Sequence, residues 1–193
     1  RRQLGSIEIV SGEDGYERGM RFGKFRTPGG LSFDVTIDRG MDISSLFYRG
    51  LPLVWRSPVT EKGPTYFEPR GDDWLRSFFG GLLTTCGLTT VGPPCKDEGE
   101  ELGLHGRVSN IPASSLAFDD EWLENDGEMK IEGKMKQAKV FGENLSLHRK
   151  ISTKVDSGEV IISDEVKNLG FKKTPHLILY HMNFGYPLLS PSS

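Results

Sequence analysis

The stretch Met129-Lys130-Ile131-Glu132-Gly133-Lys134-Met135-Lys136 alternates apolar or small residues with charged ones. Successive side chains of a β-strand point to opposite faces of a sheet, so this period of two predicts a strand with one buried face. The segment Leu145 to Thr153 repeats the pattern a short distance downstream. Two such strands close together in the sequence favour an antiparallel pair.

Further strands are predicted where apolar alternation or β-branched residues recur. They are Leu4 to Val10, Leu31 to Asp38, Leu51 to Trp55, Glu159 to Lys167 and Leu177 to His181. Turn-forming groups such as Pro28-Gly29-Gly30 and Asp156-Ser157-Gly158 separate them, which indicates short antiparallel hairpins. The sequence therefore predicts an all-β fold, a sandwich of antiparallel sheets.

One short helix is predicted before the glycine pair Gly80-Gly81, which would stop it. Asp72 or Asp73 would cap its N-terminus. Its apolar stripe consists of Trp74, Leu75, Phe78 and Phe79.

The composition excludes several classes of protein. The chain has 193 residues, 36% of them hydrophobic and 26% charged, and this is enough for the core of one globular domain, predicted to span residues 1–193. The formal net charge is -3, from 24 basic and 27 acidic residues that are interspersed. There is no basic stripe for nucleic acid, no polybasic patch for a membrane surface and no apolar run that could span a bilayer.

The cysteines and the chain ends complete this first description. Cys86 and Cys95 are too few for a disulfide framework, and Cys86 lies among small and apolar residues, where a buried structural thiol is expected. With no signal peptide at the start, we predict a soluble cytoplasmic protein. The sequence lacks an initial methionine and stops after an apolar segment, so we expect it to be truncated at the C-terminus, the N-terminal part of a longer protein.

Two of the four histidines have ordinary structural interpretations. His148 alternates with apolar neighbours in a predicted strand and should face water, and His176 follows Pro175 at the entry to a strand. His181 is different, because it stands at a strand end in His181-Met182-Asn183-Phe184-Gly185-Tyr186. A histidine, an amide and aromatic rings suit a sugar, whose hydroxyls need directional partners and whose C–H face packs on flat rings. A core histidine would fit this segment equally well.

A second candidate segment is Leu104-His105-Gly106-Arg107. The glycine would let the backbone approach a ligand, and Arg107 would bind a ring oxygen or an acidic group. A lone arginine in a loop is more often a surface charge.

Together the two segments resemble the galactose mutarotase-like, or aldose 1-epimerase, superfamily. That superfamily has an early His-Gly pair and a later histidine followed by Tyr-Phe-Asn-Leu, here matched by Leu104-His105-Gly106 and by His181-Met182-Asn183-Phe184-Gly185. Three phrases look like a bacterial branch described as a domain of unknown function, DUF4432: Ile37-Asp38-Arg39-Gly40-Met41-Asp42-Ile43, Gly80-Gly81-Leu82-Leu83-Thr84-Thr85-Cys86-Gly87-Leu88 and Leu104-His105-Gly106-Arg107. The resemblance runs over most of the chain.

The resemblance implies a β-supersandwich and an enzyme that interconverts the anomers of a free sugar without a cofactor. A base takes the proton of the anomeric hydroxyl while an acid protonates the ring oxygen, which opens the ring. His181 would be the acid, His105 would hold the ring oxygen or a neighbouring hydroxyl, and Asn183 would bind the substrate. The base of that family is a glutamate from its C-terminal half, expected beyond Ser193. The acids present have structural interpretations, with Asp38 and Asp42 around a turn.

Two departures from the family pattern bear on the substrate. Arg107 replaces a second glycine after His-Gly, and Asn183-Phe184-Gly185 replaces Tyr-Phe-Asn-Leu. An arginine near the ring would favour an acidic sugar, a sugar phosphate or an oxidised sugar. Among Trp55, Tyr66, Phe67 and Trp74, only Trp74 is retained as a candidate wall for sugar stacking.

Alternatives to an epimerase stay open. A carbohydrate-binding or sensing protein could keep the cleft without the base, since fold alone does not establish activity. A metal-dependent sugar isomerase on a cupin-like barrel would need three or four converging ligands, and the sequence contains no H-x-H spacing, so no metal is predicted. The oligomeric state does not follow from the sequence, because exposed strand edges can be covered in several ways.

Overall fold

Short strands make up most of the chain's regular structure. The structure is a computed structural model that describes residues 3–124 and 126–191. The strands are β1 (Ser6–Ser11), β2 (Arg21–Arg26), β3 (Leu31–Thr36), β4 (Asp42–Tyr48), β5 (Leu51–Pro52), β6 (Leu83–Leu88), β7 (Cys95–Asp97), β8 (Glu100–Leu102), β9 (Ser114–Asp119), β10 (Glu128–Ala138), β11 (Asn144–Lys154), β12 (Ile161–Asn168) and β13 (Leu177–Met182).

The strands form two main sheets and a separate hairpin, and all their pairings are antiparallel. The first sheet has the order β1-β2-β3-β4-β6-β13, with β5 added beside β4, and the second has the order β12-β11-β10-β9. The hairpin consists of β7 and β8 alone. The predicted all-β antiparallel sandwich is therefore confirmed.

The core lies between the two sheets. In β10 the inward residues Met129, Ile131 and Met135 alternate with half-exposed and exposed ones, as the sequence predicts. On the opposing sheet, Phe25 and Phe33 stack with their ring centroids 4.3 Å apart. Because burying such side chains removes apolar surface from water, each contributes about 1.5–3 kcal/mol to folding.

A buried charge network also joins the two sheets. Arg149, on the inward face of β11, forms an ion pair with Asp42 of β4 (Nη1 to Oδ1, 3.0 Å) and with Asp164 of β12 (Nη2 to Oδ2, 2.7 Å). Asp164 also accepts a hydrogen bond from the Tyr180 hydroxyl of β13 (2.8 Å). Burial alone would lower the pKa of Arg149, but the bond to Asp164 and the charges of both carboxylates raise it above its ordinary value.

The predicted helix is present in a different form. Residues Asp73–Ser77 form a 3-10 helix of 5 residues, and its N-cap residue Asp72 makes no capping bond with its side chain. The Asp73 carboxylate instead pairs with Arg76 (3.0 Å). Asp72 therefore occupies the N-cap position, as one of the two predicted alternatives, but its side chain does not cap the helix. Further 3-10 turns occur at Gly15–Glu17, Pro64–Tyr66 and Val108–Asn110. Within the two described ranges no helix is long and apolar enough to cross a bilayer.

Candidate functional site

The structure brings His105 and His181 together. Their ring centroids lie 5.8 Å apart and the ring planes meet at 83°, edge to face. His105 belongs to the loop after β8, and His181 lies near the end of β13, an edge strand of the larger sheet. The two sequence segments singled out above thus meet at one place in the fold.

The backbone around His105 is in an unusual conformation that short hydrogen bonds hold in place. His105 has a φ of 57° and Gly106 a φ of 75°, both in the left-handed region. The His105 N–H donates to the Gly92 carbonyl (3.0 Å), and the His105 carbonyl accepts from the Gly87 N–H (3.0 Å). A Cβ on Gly106 would lie 2.4 Å from the Gly87 carbonyl oxygen, so only glycine fits there.

A backbone amide fixes the tautomer of His105. The N–H of Gly92 donates to Nδ1 of the ring (3.2 Å), and a backbone N–H can only donate. In the neutral ring the proton therefore sits on Nε2, which becomes a hydrogen-bond donor. Burial and then the nearby His181 lower the pKa of His105, because both disfavour its charged form. Both effects favour the neutral ring, in which Nε2 is the donor.

His181 is held by the register of β13 on β6. It pairs with Thr84, and its ring is partly accessible. Just beyond it, Asn183 donates through Nδ2 to the carbonyls of Gly81 (3.0 Å) and His181 (3.1 Å). The Asn183 amide group thus ties the end of the strand to the neighbouring loop, and its predicted contact with substrate stays a prediction.

Aromatic rings surround the two histidines. Trp74 packs edge to face on His105 (4.9 Å between centroids) and stacks on Phe78 (4.8 Å), which in turn meets His181 at 5.2 Å. Trp74 is only 2% exposed, so in this structure it supports the His105 ring and has no free face for a sugar. Trp55, 44% exposed and 6.0 Å from Phe78, is the tryptophan with an accessible face.

Arg107 lies at a neighbouring cavity of about 360 Å³. It is exposed and shares that cavity with Gln137 and Lys139, whereas neither site histidine is among the described residues that line it. Glu100 raises the pKa of Lys139, and the positive charge of Arg107 acts in the opposite direction. The structure therefore places the Arg107 side chain beside Lys139, and its predicted contact with a sugar remains untested.

Other candidates from the sequence have structural surroundings. His148 is half exposed and its Nε2 lies 3.2 Å from Glu132, and Nδ1 of His176 lies 3.3 Å from the Leu88 carbonyl oxygen. Cys86 is buried, and that burial followed by the charge of Asp42 raises the pKa of its thiol to about 12. In the part of the chain that the structure describes, no three metal-ligating side chains converge.

Two contributors to the site were missed by sequence reasoning. Phe78, which was assigned to a helix stripe, contacts His181, and Gly92 supplies the N–H that orients His105. The contact of Phe78 depends on where the chain turns after the short helix. The role of Gly92 depends on its main chain, and no side-chain pattern records that.

Comparison with known families and structures shows what this chain is similar to. A family model described as a domain of unknown function (DUF4432) matches residues 17–193. The chain belongs to the DUF4432 family. The predicted relationship to this branch of the galactose mutarotase-like superfamily is thereby confirmed. No curated protein matches the sequence of this DUF4432 protein.

Solved structures share the fold. A provisionally assigned aldose 1-epimerase from Klebsiella pneumoniae subsp. pneumoniae MGH 78578 is 26% identical, with a TM-score of 0.85 over 95% of this chain and 48% of its own. The galactose 1-epimerase from Lactobacillus acidophilus NCFM is 14% identical, with a TM-score of 0.56 over 84% of this chain and 48% of its own. The DUF4432 chain thus has a carbohydrate-epimerase-like fold and spans about half the length of either structure.

Proposed function

We propose that this DUF4432 protein is a sugar 1-epimerase that opens and recloses the ring of a free sugar by acid and base catalysis. The single observation that supports this most strongly is the meeting of His105 and His181 at 5.8 Å, with the tautomer of one ring fixed by a backbone amide. Two imidazoles in different environments can divide the work between a hydrogen-bond donor and a proton-transfer group.

In this proposal His105 binds and His181 transfers the proton. His105, neutral with its proton on Nε2, would donate a hydrogen bond to the ring oxygen or to an adjacent hydroxyl. His181 would give a proton to the ring oxygen as the bond from that oxygen to the anomeric carbon breaks. Imidazole suits this role, because it can both give and take a proton near neutral pH. Ring closure from either face of the aldehyde would return the proton to His181.

The scheme also needs a base for the proton of the anomeric hydroxyl. By the resemblance this is a glutamate in the other half of the mutarotase fold, and the chain spans about half the length of the two solved structures. If the cleft lacked such a base, it would still hold a sugar through His105 and an exposed aromatic ring. That outcome would correspond to the carbohydrate-binding or sensing alternative.

The proposed ligand is a small free sugar, stacked on Trp55 and hydrogen-bonded to the histidines. The preference for an acidic or phosphorylated sugar depends on Arg107 reaching the ring from the cavity that it shares with Lys139. An Arg107→Ala variant should then lose affinity for acidic sugars while it keeps its affinity for neutral ones. Equal losses for both classes would remove this preference from the proposal.

The test is the rate of anomer exchange, measured by proton NMR on a panel of neutral and acidic sugars. We expect the wild-type protein to accelerate exchange for at least one sugar and His181→Gln to lower that rate about a hundredfold or more, the usual contribution of a general acid. His148→Gln is the matched control, because this histidine pairs with Glu132 elsewhere. Binding without acceleration would favour the binding-protein alternative, and a fully active His181→Gln would overturn the assigned acid.

A further inference from the structure

Arg39 is a fully buried cation in the first of the three DUF4432-like phrases. Its side chain is 0% exposed, and its three nitrogens donate to three backbone carbonyls. Nε donates to Ser109 (2.7 Å), Nη1 to Lys62 (2.8 Å) and Nη2 to Ser77 (2.9 Å). One planar group therefore joins three segments that are far apart in the sequence.

Two of these segments hold Trp74, the ring that packs against His105. Ser77 ends the short helix that contains Trp74, and its Oγ donates to the Trp74 carbonyl (3.1 Å). Ser109 follows the His105 loop, and its Oγ accepts from Nε1 of Trp74 (3.1 Å). Trp74 is thus fixed at its backbone and at its ring by the same two residues that Arg39 connects.

Contacts continue from Trp74 to both histidines. Its ring lies 4.9 Å from that of His105 and 4.8 Å from that of Phe78. Phe78 lies 5.2 Å from His181. Each distance joins ring centroids in a stacked or edge-to-face contact, so a shift of the Trp74 segment would change the geometry of both imidazoles.

We propose that Arg39 is a positioning residue that sets the relative placement of His105 and His181 by tying the Ser77 and Ser109 segments together. The effect on catalysis rests on the proposed function. The effect on the histidine rings does not, because it can be observed without any substrate.

The chemistry of the guanidinium explains why arginine stands here. Burial lowers the pKa of Arg39 to about 10, although the charges of Asp42 and Glu61 act against this. The group therefore stays protonated at neutral pH and keeps all its donors. Lysine has a single nitrogen and cannot reach carbonyls in three directions from a fixed plane. Phe79, whose ring centroid is 5.3 Å from Cζ of Arg39, packs against the guanidinium.

The experiment compares Arg39→Lys with Arg149→Lys, which alters a second arginine that is 0% exposed. Arg149 joins the two sheets and has no bond to the Ser77 or Ser109 segments among the described contacts. Long-range proton–nitrogen NMR spectra report the tautomer of His105, and nuclear Overhauser effects report its distance from His181. We expect Arg39→Lys to shift the Nδ1 and Nε2 resonances of His105 and to weaken the inter-ring effect, while Arg149→Lys leaves both unchanged.

Measuring catalytic activity gives a second test that is independent of the NMR comparison. If the protein exchanges anomers, Arg39→Lys should lower kcat about tenfold or more with a smaller change in KM, since misplaced catalytic groups slow the chemical step. If no sugar is turned over, the proposed function fails while the NMR comparison still decides the role of Arg39. Unchanged His105 and His181 signals in a folded Arg39→Lys protein would overturn the positioning role, and so would equal shifts in both arginine variants.

A milder variant covers the case in which Arg39→Lys does not fold. Ser109→Ala removes the acceptor for Nε1 of Trp74 and leaves the Ser109 carbonyl in place for Arg39. We expect a smaller shift of the His105 resonances in the same direction. His105 resonances identical to those of the wild type would show that the Ser109–Trp74 bond does not affect the position of the His105 ring. The proposal would then be wrong.

Discussion

The ring of His105 meets the ring of His181 edge to face, and each histidine is supported by a different aromatic ring, Trp74 or Phe78. Because the two imidazoles are close, a proton on one disfavours a proton on the other. Burial and then the nearby His181 lower the pKa of His105. This lowering can be measured directly.

Replacing His181 by glutamine should raise the pKa of His105. The substitution removes the charge that His181 carries when protonated, but burial of His105 remains, so its pKa should stay below the ordinary value of about 6.5. NMR titration of the His105 ring protons measures the change. His176→Gln, whose ring contacts the Leu88 carbonyl, should leave the His105 titration unchanged.

His105 should also make stability depend on pH. Its pKa is lower in the folded protein than in the unfolded chain, so the unfolded chain binds more protons between the two values. Its contribution is therefore fully present above about pH 6.5 and is lost as the pH falls below that value. Urea unfolding of wild type and His105→Gln at several pH values tests this. The difference between the two proteins should change with pH over this window, and a constant difference would contradict the assignment.

Alanine at Gly106 should destabilise the protein more than alanine at Gly99. Both glycines have positive φ, 75° and 85°, so either substitution costs about 1–2 kcal/mol in backbone conformation. A Cβ on Gly106 would also collide with the carbonyl oxygens of Gly87 (2.4 Å) and Thr90 (2.7 Å), whereas one on Gly99 meets nothing within 4 Å. Denaturant unfolding of the two variants separates the conformational cost from the collision. Equal losses would show that the His105 loop yields easily.

Removing Arg149 should cost far more than removing a surface lysine. Arg149→Met leaves Asp42 and Asp164 without their buried cation, and breaking such a pair typically costs about 3–5 kcal/mol. Lys154→Met breaks an exposed pair with Asp126, which should cost much less because water and salt screen such a pair. Free energies of unfolding compare the two variants. Similar values for both would mean that the network between the sheets contributes little.

The two cysteines should differ sharply in their reactivity with a thiol reagent. Cys95 is exposed, whereas Cys86 is buried with a thiol pKa of about 12, so Cys86 has almost no reactive thiolate at pH 8. Colorimetric titration of the native protein should report one reactive thiol per chain. Cys95→Ser should abolish the signal, and denaturation should expose the second thiol. Rapid labelling of native Cys95→Ser would contradict the burial of Cys86.

The strands that the sequence predicted best are those with one face buried and the other exposed to solvent. In β10 and β11 the period of two is visible because charged residues alternate with apolar ones. Strand β6 was missed because all of its residues are buried, so the segment Leu83 to Leu88 shows no alternation. The short helix was placed correctly, but its form was not, since five residues are too few to establish an α-helix against the packing around Trp74.

Some residues of the site could be predicted from the sequence, and others could not. The two histidines were found because their segments combine the right side chains, and the structure brings them together. Arg149 continues the inward alternation of Leu145, Leu147 and Ile151, so that pattern could have revealed a buried cation. Asp42 was interpreted as a turn residue because its partners come from distant strands, and no local pattern in the sequence could show them.

The hairpin of β7 and β8 belongs to neither main sheet, and almost all of its residues are exposed. Its base is fixed, since Gly92 bonds to His105 on one side and the Leu104 N–H donates to Gly71 on the other (2.9 Å). Surface loops anchored in this way tolerate insertions at their tips at little entropic cost. Evolution can therefore lengthen, shorten or exchange this hairpin as a module. Such changes would alter the surface contacts of the protein without moving the His105 ring at the base of the hairpin.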